Sequence, residues 1–166
     1  NHQRVAILFL DLDNFKTVND AFGHQYGDQL LKLTSERLQG CIRSSDTFAR
    51  VGGDEFVFLL EDISPPGYGA QVAENVFRAL AVPFNFRGTD IYITTSIGIS
   101  IFPENGEDAE TLLQHADVAM HRAKAQGKSN YQYFSENMAV SALERVSLAS
   151  RLRTVVDDGE LEIYYQ

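Results

Sequence analysis

Two adjacent acidic residues, Asp54 and Glu55, follow the glycine pair Gly52 and Gly53 in the middle of the chain. Apolar runs on both sides predict two strands, and the glycines permit the positive φ angles of a tight hairpin between them. Adjacent carboxylates on a rigid turn repel each other, so this pattern favours a divalent cation held between them and an anionic substrate. The competing interpretation is a solvated turn, because Gly-Gly-Asp is common turn chemistry.

A second pair of acidic residues, Asp11 and Asp13, follows an unbroken apolar run at residues 5–10. Such a run predicts a central strand that is buried on both faces. Asp13 is well placed as the N-cap of the helix that follows, and we prefer this structural role for it over a metal role. Asp11 has no capping role, and a carboxylate at the buried end of a strand is costly unless a cation neutralises it.

The first predicted helix begins at Asn14, Phe15 and Lys16, and Gly23 closes it. The first turn of a helix has free backbone N–H groups and the positive end of the helix dipole. These three residues are therefore a suitable place for phosphate oxygens.

A polar turn separates the first helix from a second, which is predicted at about residues 28–42. Asn19 and Asp28 face each other across this turn if the two helices pack as a hairpin. An amide and a carboxylate together can donate to and accept from the edge of a guanine base. A cap or turn role accounts for either residue alone.

Three further basic residues and one acidic residue have types suited to nucleotide binding. Arg43 can bind guanine O6 and N7, and Asp46 can accept from N1 and N2 of the same base. An Arg-x-x-Asp pair on its own is usually a surface ion pair worth under about 1 kcal/mol. Lys124 and Lys128 lie near the end of the last predicted helix, where they can meet triphosphate oxygens or complement the helix dipole.

The elements that must position these residues come in an irregular order. Apolar spacing predicts a helix at residues 68–81, a hairpin of strands 84–87 and 90–102, and a helix that begins near Asp108. The whole order lacks the strict alternation of a doubly wound parallel sheet, and it predicts an α+β fold with a central, mainly antiparallel sheet flanked by helices. Asp11 and Asp54 on neighbouring strands would suit two-metal phosphoryl transfer.

Composition limits the classes of partner. The chain has 166 residues, 44% of them hydrophobic, which is enough for one well-buried core. Its net charge of −9 disfavours nucleic acid polymers and acidic membrane surfaces, which are bound through Lys and Arg. Cys41 is interpreted as a buried thiol, and no apolar run approaches a membrane span, so a cytoplasmic location is expected for this domain, in a protein that is either membrane-anchored or soluble.

Taken together, the motifs resemble the GGDEF domain of the diguanylate cyclase family, from the first strand to about Phe134. The resemblance is carried by the following stretches: Asp11-Leu12-Asp13-Asn14-Phe15-Lys16, Asn19-Asp20, Gly23-His24, Gly27-Asp28, Arg43-x-x-Asp46, Arg50-x-Gly52-Gly53-Asp54-Glu55-Phe56, Ser96-Ile97-Gly98-Ile99, Ala116-Asp117-x-Ala119 and Ala123-Lys124. The family joins two GTP molecules into cyclic di-GMP, and its fold is similar to that of adenylyl cyclases and the polymerase palm.

The resemblance implies a role for each candidate residue. Asp11, the Leu12 carbonyl, Asp54 and Glu55 would hold Mg²⁺, with Mn²⁺ as a substitute. Glu55 would act as a metal ligand or as the base for the attacking 3′-hydroxyl. The residues implied to bind GTP are Asn14, Phe15, Lys16, Asn19, His24, Asp28, Gly52, Gly53, Lys124 and Lys128.

The resemblance also implies regulation and assembly. Arg43 and Asp46 would form the site at which cyclic di-GMP inhibits its own synthesis. Each domain would hold one GTP, so two domains must meet, at least transiently, as a homodimer.

The C-terminal part indicates a second domain. The GGDEF domain is assigned to residues 1–135, a linker helix to 136–157, and residues 158–166 resemble the opening strand of an EAL phosphodiesterase domain. A composite protein that both makes and breaks cyclic di-GMP is therefore expected. The alternative is a weakly catalytic module that binds GTP or cyclic di-GMP and regulates the attached EAL domain.

Three features depart from the family pattern. The helix that usually precedes the first strand is absent from the chain and is attributed to the boundary of the sequence. Lys128 stands where the family usually has Arg, and lysine keeps the charge without the bidentate geometry. Met120-His121 replaces the usual Leu-Tyr, and the change from Leu to Met conserves volume.

Overall fold

The structure, a computed structural model, describes residues 4–63, 67–86 and 88–139. In chain order the elements are β1 (Val5–Asp13), α1 (Phe15–Phe22), α2 (His24–Gln39), β2 (Thr47–Gly52), β3 (Glu55–Leu60), α3 (Tyr68–Ala81), β4 (Phe84–Phe86), β5 (Thr89–Ile91), β6 (Thr94–Phe102), α4 (Ala109–Ala125) and β7 (Tyr131–Tyr133). The main sheet has the strand order β2-β3-β1-β6-β7, and each neighbouring pair is antiparallel except β6 with β7. The predicted α+β fold is confirmed.

Strand β1 lies at the centre of the sheet and is covered on both faces. Its even-numbered residues, such as Leu8 and Leu10, belong to the core cluster that includes buried residues of α2 and α3. Ile7 packs on the opposite face with Leu112 and Ala116 of α4. Because side chains alternate along a strand, Asp11 and Asp13 lie on the α4 face of the sheet.

The predicted hairpin forms from strands β2 and β3. Gly52 of β2 pairs with Glu55 of β3, so the turn consists of Gly53 and Asp54. Gly53 alone of the two glycines has a positive φ, 44°, and its carbonyl accepts a 2.8 Å hydrogen bond from Nε of Arg50. The glycine pair thus supplies one positive φ angle rather than two.

The predicted start of the second helix at Asp28 is wrong. Gly23, with φ of 86°, ends α1 by donating its N–H to the Asn19 carbonyl, and α2 begins at the next residue, His24. The helix also ends at Gln39 rather than at residue 42. Cys41 therefore lies after the helix and is half-buried, not buried as expected.

The predicted helix at residues 68–81 is confirmed as α3, whereas the strand predicted at residues 90–102 is divided into β5 and β6. Strand β5 pairs with β4 in a separate two-stranded sheet, and β6 starts three residues later in the main sheet. The β-branched run from residue 91 onward is therefore divided between two sheets, with Ile91 in the small sheet and residues from Thr94 onward in the main sheet.

The chain divides into a compact unit, Asn1–Phe134, and a second unit, Ser135–Gln166. In the second unit residues 136–139 are helical, and the remainder of the predicted linker helix and the predicted EAL strand lie outside the described residues. Among the described residues no helix has the length and apolarity needed to cross a membrane.

Candidate active site

The candidate metal-binding residues meet at one end of β1 and β3. Asp11 is paired with Glu55 across the two strands, so both side chains lie on the α4 face. The backbone N–H of Leu12 donates to the carbonyl of Asp54 over 3.2 Å, which ties the tip of the hairpin to β1. The antiparallel register therefore brings Asp11 together with Asp54 and Glu55, which lie more than 40 positions further along the sequence.

Helix α4 adds a basic residue to this group. Nζ of Lys124 lies 2.7 Å from Oδ2 of Asp11, and the two side chains are 28% and 12% exposed. The helix approaches the sheet closely at Gly98 of β6, where an added Cβ atom would lie 1.9 Å from the carbonyl oxygen of Ala116. A residue without a side chain at position 98 therefore allows α4 to place Lys124 against Asp11.

The electrostatics of the group favour a further cation. Burial raises the pKa of Asp11, and the nearby carboxylates of Asp54 and Asp13 raise it further, against the lowering effect of Lys124. Burial also raises the pKa of Glu55, as do the charges of Asp11, Asp117 and Asp54. One lysine does not balance this concentration of carboxylates.

These residues fit Mg²⁺ by donor type. Carboxylate oxygens are the ligands that Mg²⁺ prefers, and a bound cation would favour the ionised form of Asp11, whose pKa is raised mainly by burial. Within residues 4–63, 67–86 and 88–139, no three His, Cys, Asp or Glu side chains form a group that could hold a metal unaided. Mg²⁺ is commonly bound by one or two carboxylates together with water and substrate phosphates, which is compatible with this arrangement.

The predicted capping role of Asp13 is wrong. The N-cap of α1 is Asn14, which makes no side-chain capping hydrogen bond. Asp13 is the last residue of β1 and only 4% exposed, and its carboxylate accepts hydrogen bonds from Oγ1 of Thr94, Oγ of Ser96 and the backbone N–H of Ser129. It connects β1, β6 and the turn after α4.

The phosphate site predicted at the start of α1 lies beside the second candidate lysine. Asn14 has a left-handed conformation, with φ of 60°, and its Oδ1 accepts a 2.7 Å hydrogen bond from Nζ of Lys128. Phe15 is buried, and Lys16 is exposed. The free amides of the first turn and the Lys128 ammonium group therefore belong to the same region.

The candidate guanine-binding residues lie on α1 and α2. Oδ1 of Asn19 is buried and has no hydrogen-bond partner among the described residues. Gly27 lies directly against it, because a Cβ atom there would be 1.9 Å from that oxygen. Asp28 follows Gly27 and is exposed, as is His24 at the start of α2. A buried acceptor without a donor is consistent with an incoming N–H group.

Arg43 and Asp46 are brought together with a residue that the sequence did not single out, Tyr68. The Tyr68 hydroxyl donates to Oδ2 of Asp46 over 2.7 Å, and Cζ of Arg43 lies 3.9 Å from the centre of the Tyr68 ring. These residues are next to a cavity of about 280 Å³ whose lining is Gln39, Ile42, Arg43, Ser44, Asp46 and Phe48. Ile42 and Phe48 pack on the core shared with α2 and α3, so this pocket is on the other side of the sheet from α4.

Two residue roles were missed, and only one had a signal in the sequence. Asp117 raises the pKa of Glu55, and its place about two turns before Lys124 on the same face of α4 was visible from the spacing. Tyr68 is the first residue of a helix, and nothing in its neighbours indicates a contact with Asp46. Met120 is buried, and Nε2 of the exposed His121 lies 3.5 Å from Oδ1 of Asp117.

Known proteins are similar to this chain over most of its length. MucR of Pseudomonas aeruginosa, a bifunctional diguanylate cyclase/cyclic di-GMP phosphodiesterase, is 40% identical over 164 residues, which are 99% of this chain and 24% of MucR. NbdA of the same species, a cyclic di-GMP phosphodiesterase, is 39% identical over 162 residues, 98% of this chain and 21% of NbdA. The chain thus spans a quarter or less of these relatives.

A solved structure agrees with this similarity. The X-ray structure of an EAL/GGDEF domain protein from M. capsulatus has a TM-score of 0.77 at 48% identity and covers 81% of this chain and 87% of that one. Residues 1–130 match the family described as diguanylate cyclase, GGDEF domain. With the acidic hairpin, the paired strands and the basic end of α4 in place, this chain belongs to the GGDEF domain family.

Proposed function

We propose that this domain is a diguanylate cyclase that condenses two GTP molecules into cyclic di-GMP and two pyrophosphates. The observation that carries the proposal is the convergence of Asp11, Asp54 and Glu55 beside Lys124. Carboxylates for a cation and a lysine for phosphate are what transfer of a nucleotidyl group requires. The similarity to MucR, whose name includes diguanylate cyclase, supports the same activity.

The reaction consists of two equivalent steps. In each, the 3′-hydroxyl of one GTP attacks the α-phosphorus of the other, an O–P bond forms, and the bond to the β-phosphate oxygen breaks to release pyrophosphate. The hydroxyl proton passes to a base, for which Glu55 is the candidate, because burial and the neighbouring carboxylates raise its pKa and so make it a stronger proton acceptor. The second step closes the ring.

The chain's own residues divide the remaining tasks. Asp11, Asp54 and the Leu12 carbonyl would hold Mg²⁺, which when bound supplies charge neutralisation on the triphosphate and activation of the attacking oxygen. Lys124, Lys128 and the amides at Asn14 to Lys16 would bind phosphate oxygens. Asn19 and Asp28 would orient the guanine, and His24, Gly52 and Gly53 would border the bound nucleotide.

The geometry of ring closure requires two domains, each with one GTP. We therefore propose a homodimer that forms at least transiently and a specific activity that rises with protein concentration. The relatives MucR and NbdA are several times longer than this chain and match 98–99% of it, and a similar solved structure is that of an EAL/GGDEF domain protein. These similarities support a composite GGDEF-EAL protein, in which an EAL domain is a partner within the same polypeptide.

The test is to incubate the protein with GTP and Mg²⁺ over a range of protein concentrations and to measure cyclic di-GMP by mass spectrometry. Asp54→Ala should lower the rate by about 100-fold or more, as expected for loss of a group that supports charge in the transition state. Asp90→Ala, a matched change at an exposed aspartate of β5, should leave the rate unchanged. A folded wild-type protein that binds GTP and forms no cyclic di-GMP at any concentration would refute the cyclase proposal.

A second function is a regulatory module that binds GTP or cyclic di-GMP and controls an attached EAL domain. The observation that favours it is the similarity to NbdA, which is named only as a phosphodiesterase. In that case GTP should change the rate of cyclic di-GMP breakdown by the full-length protein, and Asn19→Ala should remove the effect. Cyclase activity in the isolated domain would exclude a purely regulatory role.

A further inference from the structure

The Asp46 carboxylate already has several donors within the protein. Oδ2 accepts from the backbone N–H of Arg43 over 3.0 Å and from the Tyr68 hydroxyl over 2.7 Å, and Oδ1 accepts from the backbone N–H of Glu61 over 3.2 Å. An ionised carboxylate has about four acceptor positions, two on each oxygen. Three of these are used, and both positions on Oδ2 are filled.

A guanine edge needs two acceptor positions on the Asp46 carboxylate, and only one is free. Its N1–H and N2–H groups are two parallel donors, which a carboxylate accepts best with one oxygen each. Oδ1 of Asp46 has room for one of them. Oδ2 can take the other only when one of its own donors leaves, and the Arg43 N–H is fixed by the backbone turn whereas the Tyr68 hydroxyl can rotate away.

The hydroxyl of Tyr68 requires a hydrogen-bond acceptor, and Asp46 supplies it. The side chain is only 7% exposed, and a buried tyrosine hydroxyl without a partner is costly. Burial and the bond to Asp46 raise the pKa of Tyr68 to about 12, so the hydroxyl stays protonated and donates at neutral pH. The Tyr68 ring also lies against the Arg43 guanidinium, the other group that faces the pocket.

We propose that Tyr68 is an internal competitor for the Arg43/Asp46 pocket, whose hydroxyl occupies the acceptor that a guanine-bearing nucleotide must take. The proposal rests on the binding of such a nucleotide at Arg43 and Asp46, and it makes the affinity of this regulatory pocket a property of the first residue of α3. A ligand that binds there must displace the hydroxyl, so the pocket fills only at raised concentrations of product.

The test compares the binding of cyclic di-GMP to the wild type and to Tyr68→Phe by isothermal titration calorimetry. Phenylalanine keeps the ring against Arg43 and removes only the hydroxyl, so Y68F should bind about tenfold more tightly, the worth of one hydrogen bond to a charged group. The gain should vanish in the R43A background, which assigns it to this pocket. Cyclic di-AMP should show no gain, because adenine has no N1–H or N2–H donors.

Tyr133→Phe is the matched control. The Tyr133 oxygen also contacts α3, where it accepts from the backbone N–H of Ala70 over 3.1 Å, and it does not touch Asp46. Affinity equal to or weaker than that of the wild type in Y68F, an equal gain in Y133F, or no binding by either protein would overturn the proposal. The titration uses preformed cyclic di-GMP, so a protein that forms no product from GTP and still binds more tightly as Y68F would refute the cyclase and leave the role of Tyr68 intact.

Discussion

The ammonium group of Lys124 lies 2.7 Å from the carboxylate of Asp11, and this contact joins α4 to the end of the central strand. Lys124 thus forms an ion pair with the same carboxylate that we propose as a ligand of Mg²⁺. The pair is largely shielded from solvent, so its two charges interact more strongly than a surface ion pair. Metal binding at Asp11 and the Lys124 contact are therefore linked.

Lys124→Met should increase the stabilisation that Mg²⁺ gives. The substitution leaves Asp11 without its cation, and without metal it should lower the free energy of unfolding by about 1–2 kcal/mol, between the values for surface and buried pairs. Millimolar Mg²⁺ should then raise the thermal midpoint of K124M more than that of the wild type. Lys128→Met, whose amine contacts Asn14 instead, is the control and should respond to Mg²⁺ like the wild type. Equal midpoint shifts in all three proteins would contradict the linkage.

Asp13→Ala should destabilise the fold strongly. It removes the shared acceptor of three hydrogen bonds in a buried position, and we expect a loss of about 2–4 kcal/mol in urea unfolding. Thr94→Val, which removes one of these donors, should cost about 1 kcal/mol. The free energy of unfolding of the double variant should lie within a few tenths of a kcal/mol of that of D13A, because both changes break the same contact. Additive losses would show that Thr94 and Asp13 act independently.

Gly98→Ala should disrupt the contact between β6 and α4. The new methyl group would lie 1.9 Å from the Ala116 carbonyl oxygen and 2.2 Å from the Met120 nitrogen, both backbone atoms. We expect a loss of about 3 kcal/mol or more in urea unfolding. Gly40→Ala is the matched change, because the new Cβ atom would lie no closer than 3.4 Å to its nearest neighbour, the Arg37 carbonyl oxygen. The free energy of unfolding of G40A should stay close to that of the wild type. A stable G98A protein would mean that α4 can move away from the sheet.

Asp108 should make stability depend on acid pH. Its carboxylate caps α4 by accepting from the backbone N–H and the hydroxyl of Thr111, and these bonds lower its pKa in the folded state. A lowered folded pKa means that the stabilisation is complete above the unfolded value of about 3.9 and is lost as the pH falls through the folded pKa. Thermal midpoints of the wild type should therefore approach those of Asp108→Asn, which keeps a capping oxygen without a charge, between about pH 5 and pH 3. A constant difference across this interval would contradict the assignment.

Elements with strong periodicity and clear end signals were predictable from the sequence. Helix α3 has Val72, Val76 and Leu80 at helical spacing, and Pro83 follows its end. The hairpin around Gly53 was predictable because apolar strands flank a turn sequence on both sides. In both cases local signals and tertiary packing agree.

The errors arose where tertiary contacts override local signals. Gly23 and Gly27 suggest one polar turn, yet only Gly23 breaks the helix, and Gly27 is helical because α2 passes closely over Asn19. The capping role expected for Asp13 was wrong because its hydrogen-bond donors come from residues 94, 96 and 129. No local sequence pattern predicts a hydrogen-bond partner that lies more than 80 positions away.

The strand order also has a consequence for synthesis on the ribosome. The apolar strand β1 leaves the ribosome before both of the strands that flank it, and Ala6 pairs with Leu60 whereas Val5 pairs with Phe102, so its two edges are covered at different times. About 40 residues separate the two partners, which at about 5–20 residues per second is an interval of about 2–8 s. During that interval one edge of an unbroken hydrophobic strand remains unpaired and open to other nascent chains. Translation of residues 61–102 is therefore a stage at which one edge of β1 still needs protection from aggregation.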